Sequence, residues 1–113
     1  QHVDTNYELG KMYVNGYGVK RNFTTGVSHF RMAAEKGHGP AQTELGVAYT
    51  TGQGVPRDLV IAHAWFFSAA NQGLEQAQQH MRTIFNKLSA EDKKPAIKMG
   101  RQFIKQYGAY ERR

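Results

Sequence analysis

The sequence predicts an all-α protein, an α/α solenoid of helix-turn-helix repeats closed by a C-terminal capping helix. Three observations carry that prediction. The chain of 113 residues aligns with itself at an offset of 36, its apolar residues recur at helical spacing within each unit, and its 12 glycines fall mostly between helices. A fixed period between about 20 and 50 residues is the trace that stacked supersecondary units leave in a sequence.

The self-alignment is dense. Leu9-Gly10, Tyr13, Gly16, Gly18-Val19 and Arg21 fall on Leu45-Gly46, Tyr49, Gly52, Gly54-Val55 and Arg57. The register continues through Phe30 on Phe66, Ala33-Ala34 on Ala69-Ala70, Gly37 on Gly73 and Ala41-Gln42 on Ala77-Gln78. With Glu8 on Glu44, 14 of the 38 positions from Thr5 to Gln42 are identical. One domain is expected over residues 1–113, with repeat 1 over about 4–39, repeat 2 over about 40–75, and a degenerate third repeat with its capping helix over about 76–109.

Each unit reads as two helices. The first helix of a unit is expected over about Asp4 to Asn15 and again over Pro40 to Thr51, where Leu and Tyr four apart mark one face. The second is expected over about Phe23 to Lys36 and over Leu59 to Gln72, where Ala62, Phe66 and Ala69-Ala70 form an i, i+4, i+7 stripe. Asn22 and Asp58 stand as N-caps, and Pro40 suits a first helical turn. Gly16-x-Gly18 and Gly52-x-Gly54 fill the turns, with Gly37 and Gly73 at helix C-termini. Gly10 and Gly46 lie inside helices, where a missing side chain lets a neighbour approach closely at a propensity cost of about 1 kcal/mol each.

The third unit starts in register and then departs. Ala77, Gln78, Met81 and Phe85 match, but Arg82 replaces the glycine and no Gly-x-Gly turn follows. Leu88-Ser89-Ala90-Glu91-Asp92 instead supplies a turn with a serine N-cap, opening a terminal helix to about Tyr107. Pro95 requires that helix either to kink or to begin near Pro95. An atypical end unit is what a solenoid needs for a solvated face.

The run from Ala41 to Gln78 has alanine-glutamine, leucine-glycine, tyrosine, Gly-x-Gly-Val, aspartate, Trp65-Phe66 and a second alanine-glutamine at fixed spacing. In this it closely resembles the Sel1-like repeat, a relative of the tetratricopeptide repeat, over about Thr5 to Phe85. The resemblance implies a right-handed superhelix and a non-enzymatic adaptor that binds a protein or peptide in its concave groove. Such adaptors are common in bacteria, in cell-envelope, secretion, motility and toxin-neutralising roles. The first unit departs from the pattern at Gly26, His29 and Asn22, which predicts a looser first helix pair.

The tetratricopeptide-like resemblance also implies that the first helices line the inner curve. On a helical wheel with Leu9 at the core, the opposite face holds Asp4, Tyr7, Lys11 and Val14; its counterparts are Pro40, Thr43, Val47 and Thr50, then Gln76, Gln79, Thr83 and Asn86. Tyr7, Lys11, Val14, Thr43, Val47, Thr50, Gln79, Thr83 and Asn86 are the expected partner-binding residues, against the alternative of an ordinary solvated face. Their mix of apolar groups, hydroxyls and amides suits a peptide better than a strongly charged ligand. A charge at Tyr7 or Val47 is then expected to abolish binding without moving the melt.

Net charge is concentrated at one end. The formal total is +6, and residues 81–113 carry nine Lys/Arg against three Asp/Glu. Lys94, Lys98, Arg101 and Lys105 form a basic stripe opposite Ala96, Met99, Gly100, Phe103, Ile104 and Tyr107. That stripe reads as the solvated back of a capping helix or, alternatively, as a patch for an acidic partner or anionic surface. Nucleic acid is disfavoured, because no aromatics interleave with the basic residues.

No catalytic, cofactor-binding or metal site is expected. Cysteine is absent, and His2, His29, His38, His63 and His80 form no His-x-x-x-His pair. Histidine-based metal binding or enzyme activity is therefore the weakest alternative, and His29, at the position of Trp65, reads as a packed core-edge residue. No apolar run approaches the roughly 18 residues of a membrane span. Because the chain starts at Gln1, a periplasmic or secreted protein with its leader removed is favoured over a cytoplasmic one.

Overall fold

The computed structural model describes residues 2–108; residue 109, at the expected end of the cap, lies outside them. Six α-helices follow in order, α1 Val3–Asn15, α2 Phe23–Ala34, α3 Gly39–Thr51, α4 Leu59–Ala70, α5 Glu75–Lys87 and α6 Ala90–Tyr107, and among the described residues there is no strand. Successive helices from α1 to α5 pack on one another, as stacked helix pairs must to bury their apolar stripes.

The predicted punctuation is what stops and starts the helices. Gly16 and Gly52 close α1 and α3 in the left-handed region, at φ of 71° and 76°, where an L side chain is strained. Asn22 accepts from the Thr25 N–H at 3.0 Å, and Asp58 from those of Val60 and Ile61 at 3.0 Å. His38 caps α3 with a ring nitrogen, Nδ1 accepting from the Ala41 N–H at 3.2 Å. The second helices end earlier than expected, at Ala34 and Ala70. Residues 35–37 and 71–73 form a tighter last turn, in which the Gly37 and Gly73 amides donate to the Ala34 and Ala70 carbonyls.

Close packing is built on absent side chains. A Cβ at Gly46 would lie 2.5 to 2.7 Å from the Phe66 ring, and one at Gly10 would lie 2.5 Å from Phe30. Gly26 also meets Gly10, and a Cβ there would stand 2.6 Å from Val14 Cγ2. The first helix pair is thus not the looser one that the Gly26 departure predicted. Val14 fills the space that alanine would take. Phe30, Leu45, Trp65 and Phe66 are buried, with Ala33, Ala34, Ala41, Ala62 and Ala69 packed at zero exposure, whereas Leu9 is only half-buried.

The capping helix begins at Ala90, before Pro95. α6 runs through Pro95 without restarting. Pro95 and Glu91, whose carbonyl loses its intrahelical donor, are both exposed, so water can satisfy it. Ser89 caps α6 by accepting from the Asp92 N–H at 3.1 Å. α6 packs chiefly on α4 and meets α5 through Lys93, whose ammonium lies 5.2 Å from the Phe85 ring centre, unlike the close pairing of α1 with α2 and α3 with α4. Ala96 sits beside His63 and Gly100 against Phe67, while Phe103 and Tyr107 cover Trp65 at ring distances of 4.6 and 5.3 Å.

Candidate functional site

The face formed by α1, α3 and α5 divides the predicted groove residues into two kinds. Lys11, Val47 and Thr83 occupy one register position 36 residues apart, and Thr83 and Gln79 are exposed. Tyr7, Val14, Thr43, Val47 and Thr50 are half-buried or buried and belong partly to the packing. Tyr7 lies 4.8 Å from the His38 ring and 5.9 Å from Phe30. Thr43, Thr50 and Thr83 turn their hydroxyls back onto the carbonyls of Gly39, Gly46 and Gln79, which leaves less donor capacity for a ligand. A charge at Tyr7 would therefore also move the melt, contrary to the expectation from the helical wheel.

What the structure brings together is a cleft of about 310 Å³ lined by Tyr7 from α1, Pro40, Thr43 and Glu44 from α3, and Leu74 to Gln76 at the start of α5. Val14 and Val47 meet instead at a crevice with Phe23, Val27 and Phe30. Asn86 leaves the groove altogether and lines a separate cleft between α4, α5 and α6.

Glu44 is the groove residue that sequence reasoning missed. Its carboxyl is half-buried, and desolvation raises its pKa, opposed by the nearby charges of Lys11 and His80. The Tyr7 hydroxyl is likewise raised by burial, with Lys11 lowering it and Glu44 and Glu8 raising it. Lys11, Glu44 and His80 thus run as polar groups across α1, α3 and α5. The signal was present: Glu8, Glu44 and His80 share one repeat position, beside the apolar residues Leu9, Leu45 and Met81. His80 stacks on Phe66 at 4.9 Å, which holds its ring in place.

Other histidines have structural work. His29 lies half-buried, 3.1 Å from the Asn6 side chain and stacked on Tyr13 at 5.8 Å, as a core-edge residue would. His38 joins α3 to α1 through Asp4, at 3.3 Å from Nε2. Among the described residues no three histidine, aspartate or glutamate side chains are grouped to hold a metal ion, and no helix is long and apolar enough to cross a membrane.

Lys94, Lys98, Arg101 and Lys105 all stand exposed on the outer side of α6, and none has a salt bridge among the described residues. With Pro95, Ile97 and Gln102 they border an open surface of about 950 Å³.

Comparison with known proteins places this architecture. The Sel1 repeat family profile matches residues 3–38 and 39–74. A protective antigen present in uropathogenic Escherichia coli strains, displaying an SLR fold, superposes with a TM-score of 0.91 at 32% identity over 94% of this chain and 23% of its own. A Sel1 repeat protein from Oxalobacter formigenes superposes with a TM-score of 0.75 at 27% identity, over 92% of this chain and 44% of its own. The chain therefore spans less than half the length of either. No curated protein matches it.

Proposed function

The chain belongs to the Sel1 repeat family, and from that premise we propose that it is a non-enzymatic adaptor holding a protein or peptide partner across the face of α1, α3 and α5. Sel1 repeat proteins are typically protein-interaction adaptors on generally non-catalytic scaffolds. One observation carries the assignment to this face. The cleft from Tyr7 to Gln76 draws walls from three helices and pairs apolar Tyr7 and Leu74 with the half-buried Glu44 carboxylate, flanked by Lys11 and His80. Convergent polar groups in an apolar recess are what fix the register of a bound chain. A bacterial envelope, secretion, motility or toxin-neutralising complex, periplasmic or secreted, is the setting this reading favours, and the two similar structures named above are of bacterial proteins.

The test is capture of a partner by the immobilised chain, with variants chosen from exposed positions. Gln79→Arg and Thr83→Arg should release the partner while leaving the circular dichroism melt in place. Tyr17→Glu, on the exposed turn after α1, should not. Equal loss with all three would remove the groove from the interface.

A second reading rests on the basic face of α6, whose four cations have no salt bridge among the described residues. It would receive an acidic protein surface steered by the local field. Salt-sensitive retention on heparin that is lost in Lys98→Glu/Arg101→Glu supports it, and passage of the native chain unretained at low salt removes it.

A further inference from the structure

The groove cleft of about 310 Å³ is lined by two carboxylates and by no basic side chain. Glu44 comes from α3 and Glu75 from the first turn of α5, while Tyr7, Pro40 and Leu74 supply apolar wall. The outer face of α6, by contrast, gathers four cations.

The Glu44 carboxylate lacks a partner of its own. It is half-buried and makes no hydrogen bond or salt bridge among the described residues, yet its oxygens are not sealed in as Gln42 Oε1 is, so they stay open to water. Lys11, whose charge acts on Glu44, is engaged elsewhere: its Nζ lies 3.6 Å from the Glu8 carboxylate and 5.0 Å from the centre of the Tyr7 ring. The Tyr7 hydroxyl is also half-buried, open and without a hydrogen bond among the described residues. The charge of Glu44 is felt at that hydroxyl and raises its pKa, so the two groups stand near one another, and both residues border the cleft. Glu75 is exposed and has no salt bridge among the described residues. A carboxylate that burial penalises and no cation pairs gains most from a ligand that brings positive charge and donors together.

The chemistry of the occupant follows from charge and walls. Two carboxylates from different helices, with no cation in the lining, call for a cation. Apolar wall beside them calls for an aliphatic stem to carry it. A guanidinium holds five N–H donors in a planar fork, enough to meet a carboxylate with two and still reach a phenol oxygen, and it sheds water more readily than an ammonium. Arginine is also a preferred anchor in protein interfaces.

We propose that the cleft between Tyr7, Glu44 and the start of α5 receives an arginine side chain of the protein partner, its stem along Leu74 and Pro40 and its guanidinium donating to the Glu44 carboxylate and the Tyr7 hydroxyl. Glu75 adds its charge at the rim. This rests on the adaptor reading and names the side chain that the groove selects.

The probe is Nα-acetyl-arginine amide, titrated into the full chain at low salt, with Nα-acetyl-citrulline amide as the neutral analogue of the same shape. Saturable shifts of the Leu74 methyl resonances are expected, with the arginine probe binding roughly tenfold more tightly than the citrulline probe for the charged hydrogen bonds gained. Burial disfavours the Glu44 charge, so Glu44→Gln keeps the fold; it should erase most of that preference, whereas Glu91→Gln on α6 should leave it unchanged. No saturable shift with the arginine probe, equal binding of the citrulline probe, or native-like binding of arginine by Glu44→Gln overturns the proposal. Partner capture separates the two readings. If the arginine probe binds as stated but Glu44→Gln retains the partner, the adaptor stands and the arginine anchor falls. If no partner is captured while the arginine probe binds, the adaptor reading falls, and the protein source of the arginine with it.

Discussion

Gln42 donates its side-chain amide to the Tyr107 backbone carbonyl at 2.7 Å, joining residues 65 apart in sequence. The same Nε2 reaches the Ala34 carbonyl at 3.0 Å, so one fully buried glutamine ties the ends of α2 and α6 to the start of α3. Its counterpart Gln78 makes only a 3.4 Å contact to the Ala70 carbonyl. The glutamine of the repeat thus adds a second donor to a carbonyl at a helix C-terminus that already accepts from the Gly37 or Gly73 amide, and at Gln42 it also secures the cap.

Gln42→Ala is expected to lower stability by about 1 kcal/mol, because the half-buried Tyr107 carbonyl loses this donor while the Ala34 carbonyl keeps the Gly37 N–H. Urea denaturation measures the loss, and hydrogen exchange should show the last turns of α6 deprotected first. Protection there equal to that of the native chain would show that the Tyr107 bond does not hold the cap. Gln78→Ala should cost less than Gln42→Ala.

Gly46→Ala tests the close approach of α3 and α4. Alanine in a helix interior gains about 1 kcal/mol over glycine in propensity. Here its Cβ would fall within 2.7 Å of three Phe66 ring atoms. Phe66 is 1% exposed and cannot swing away, so overpacking of about 1 to 3 kcal/mol should outweigh the gain. A rise in melting temperature would mean that the helices can separate without loss.

Phe66→Ala removes the ring from that contact and from the His80 stack. A loss of about 3 to 5 kcal/mol is expected, enough to unfold much of so small an array at room temperature. A cooperative melt near the native one would show that neighbouring side chains collapse into the cavity.

Two groups make opposite contributions to the pH dependence of stability. The folded pKa of His63 lies below its usual 6.5, so as pH falls below 6.5 the unfolded chain takes a proton that the folded chain refuses, and stability falls. His63→Phe should flatten that acid limb. Glu44 is raised above its usual 4.5, so as pH rises from 4.5 the unfolded chain releases a proton that the folded chain keeps, and stability is lost up to the folded value. Glu44→Gln should therefore be more stable than the native chain at pH 7, with the advantage gone below pH 4.5. Melts from pH 4 to 8 on both variants check the signs.

Much of the fold was legible because its signals are local. Asn22, Asp58 and Ser89 cap helices within two or three residues of themselves, and Gly16 and Gly52 terminate helices by their own backbone freedom. The basic stripe of α6 was equally plain, since four exposed cations at helical spacing need no neighbour to define them. The groove was legible only in part. A wheel assigns a face but not its cover, so Tyr7 and Thr43 were read as free surface when His38, Phe30 and a carbonyl of their own helix already engage them.

The sequence by itself determined the 36-residue unit, the helix pair within it and the glycines that let the pairs close, because propensity, capping and periodicity act over a few residues. The tertiary structure alone decided which helix covers which. Gly100 admits Phe67, Phe103 and Tyr107 cover Trp65, and Gln42 holds Tyr107, so α6 settles chiefly on α4. Each of those contacts joins residues more than 30 positions apart, and only their shape complementarity in three dimensions selects that arrangement over a simple third pair. The cleft between α4, α5 and α6 and the half-buried charge of Glu44 are products of that choice, which no spacing along the chain records.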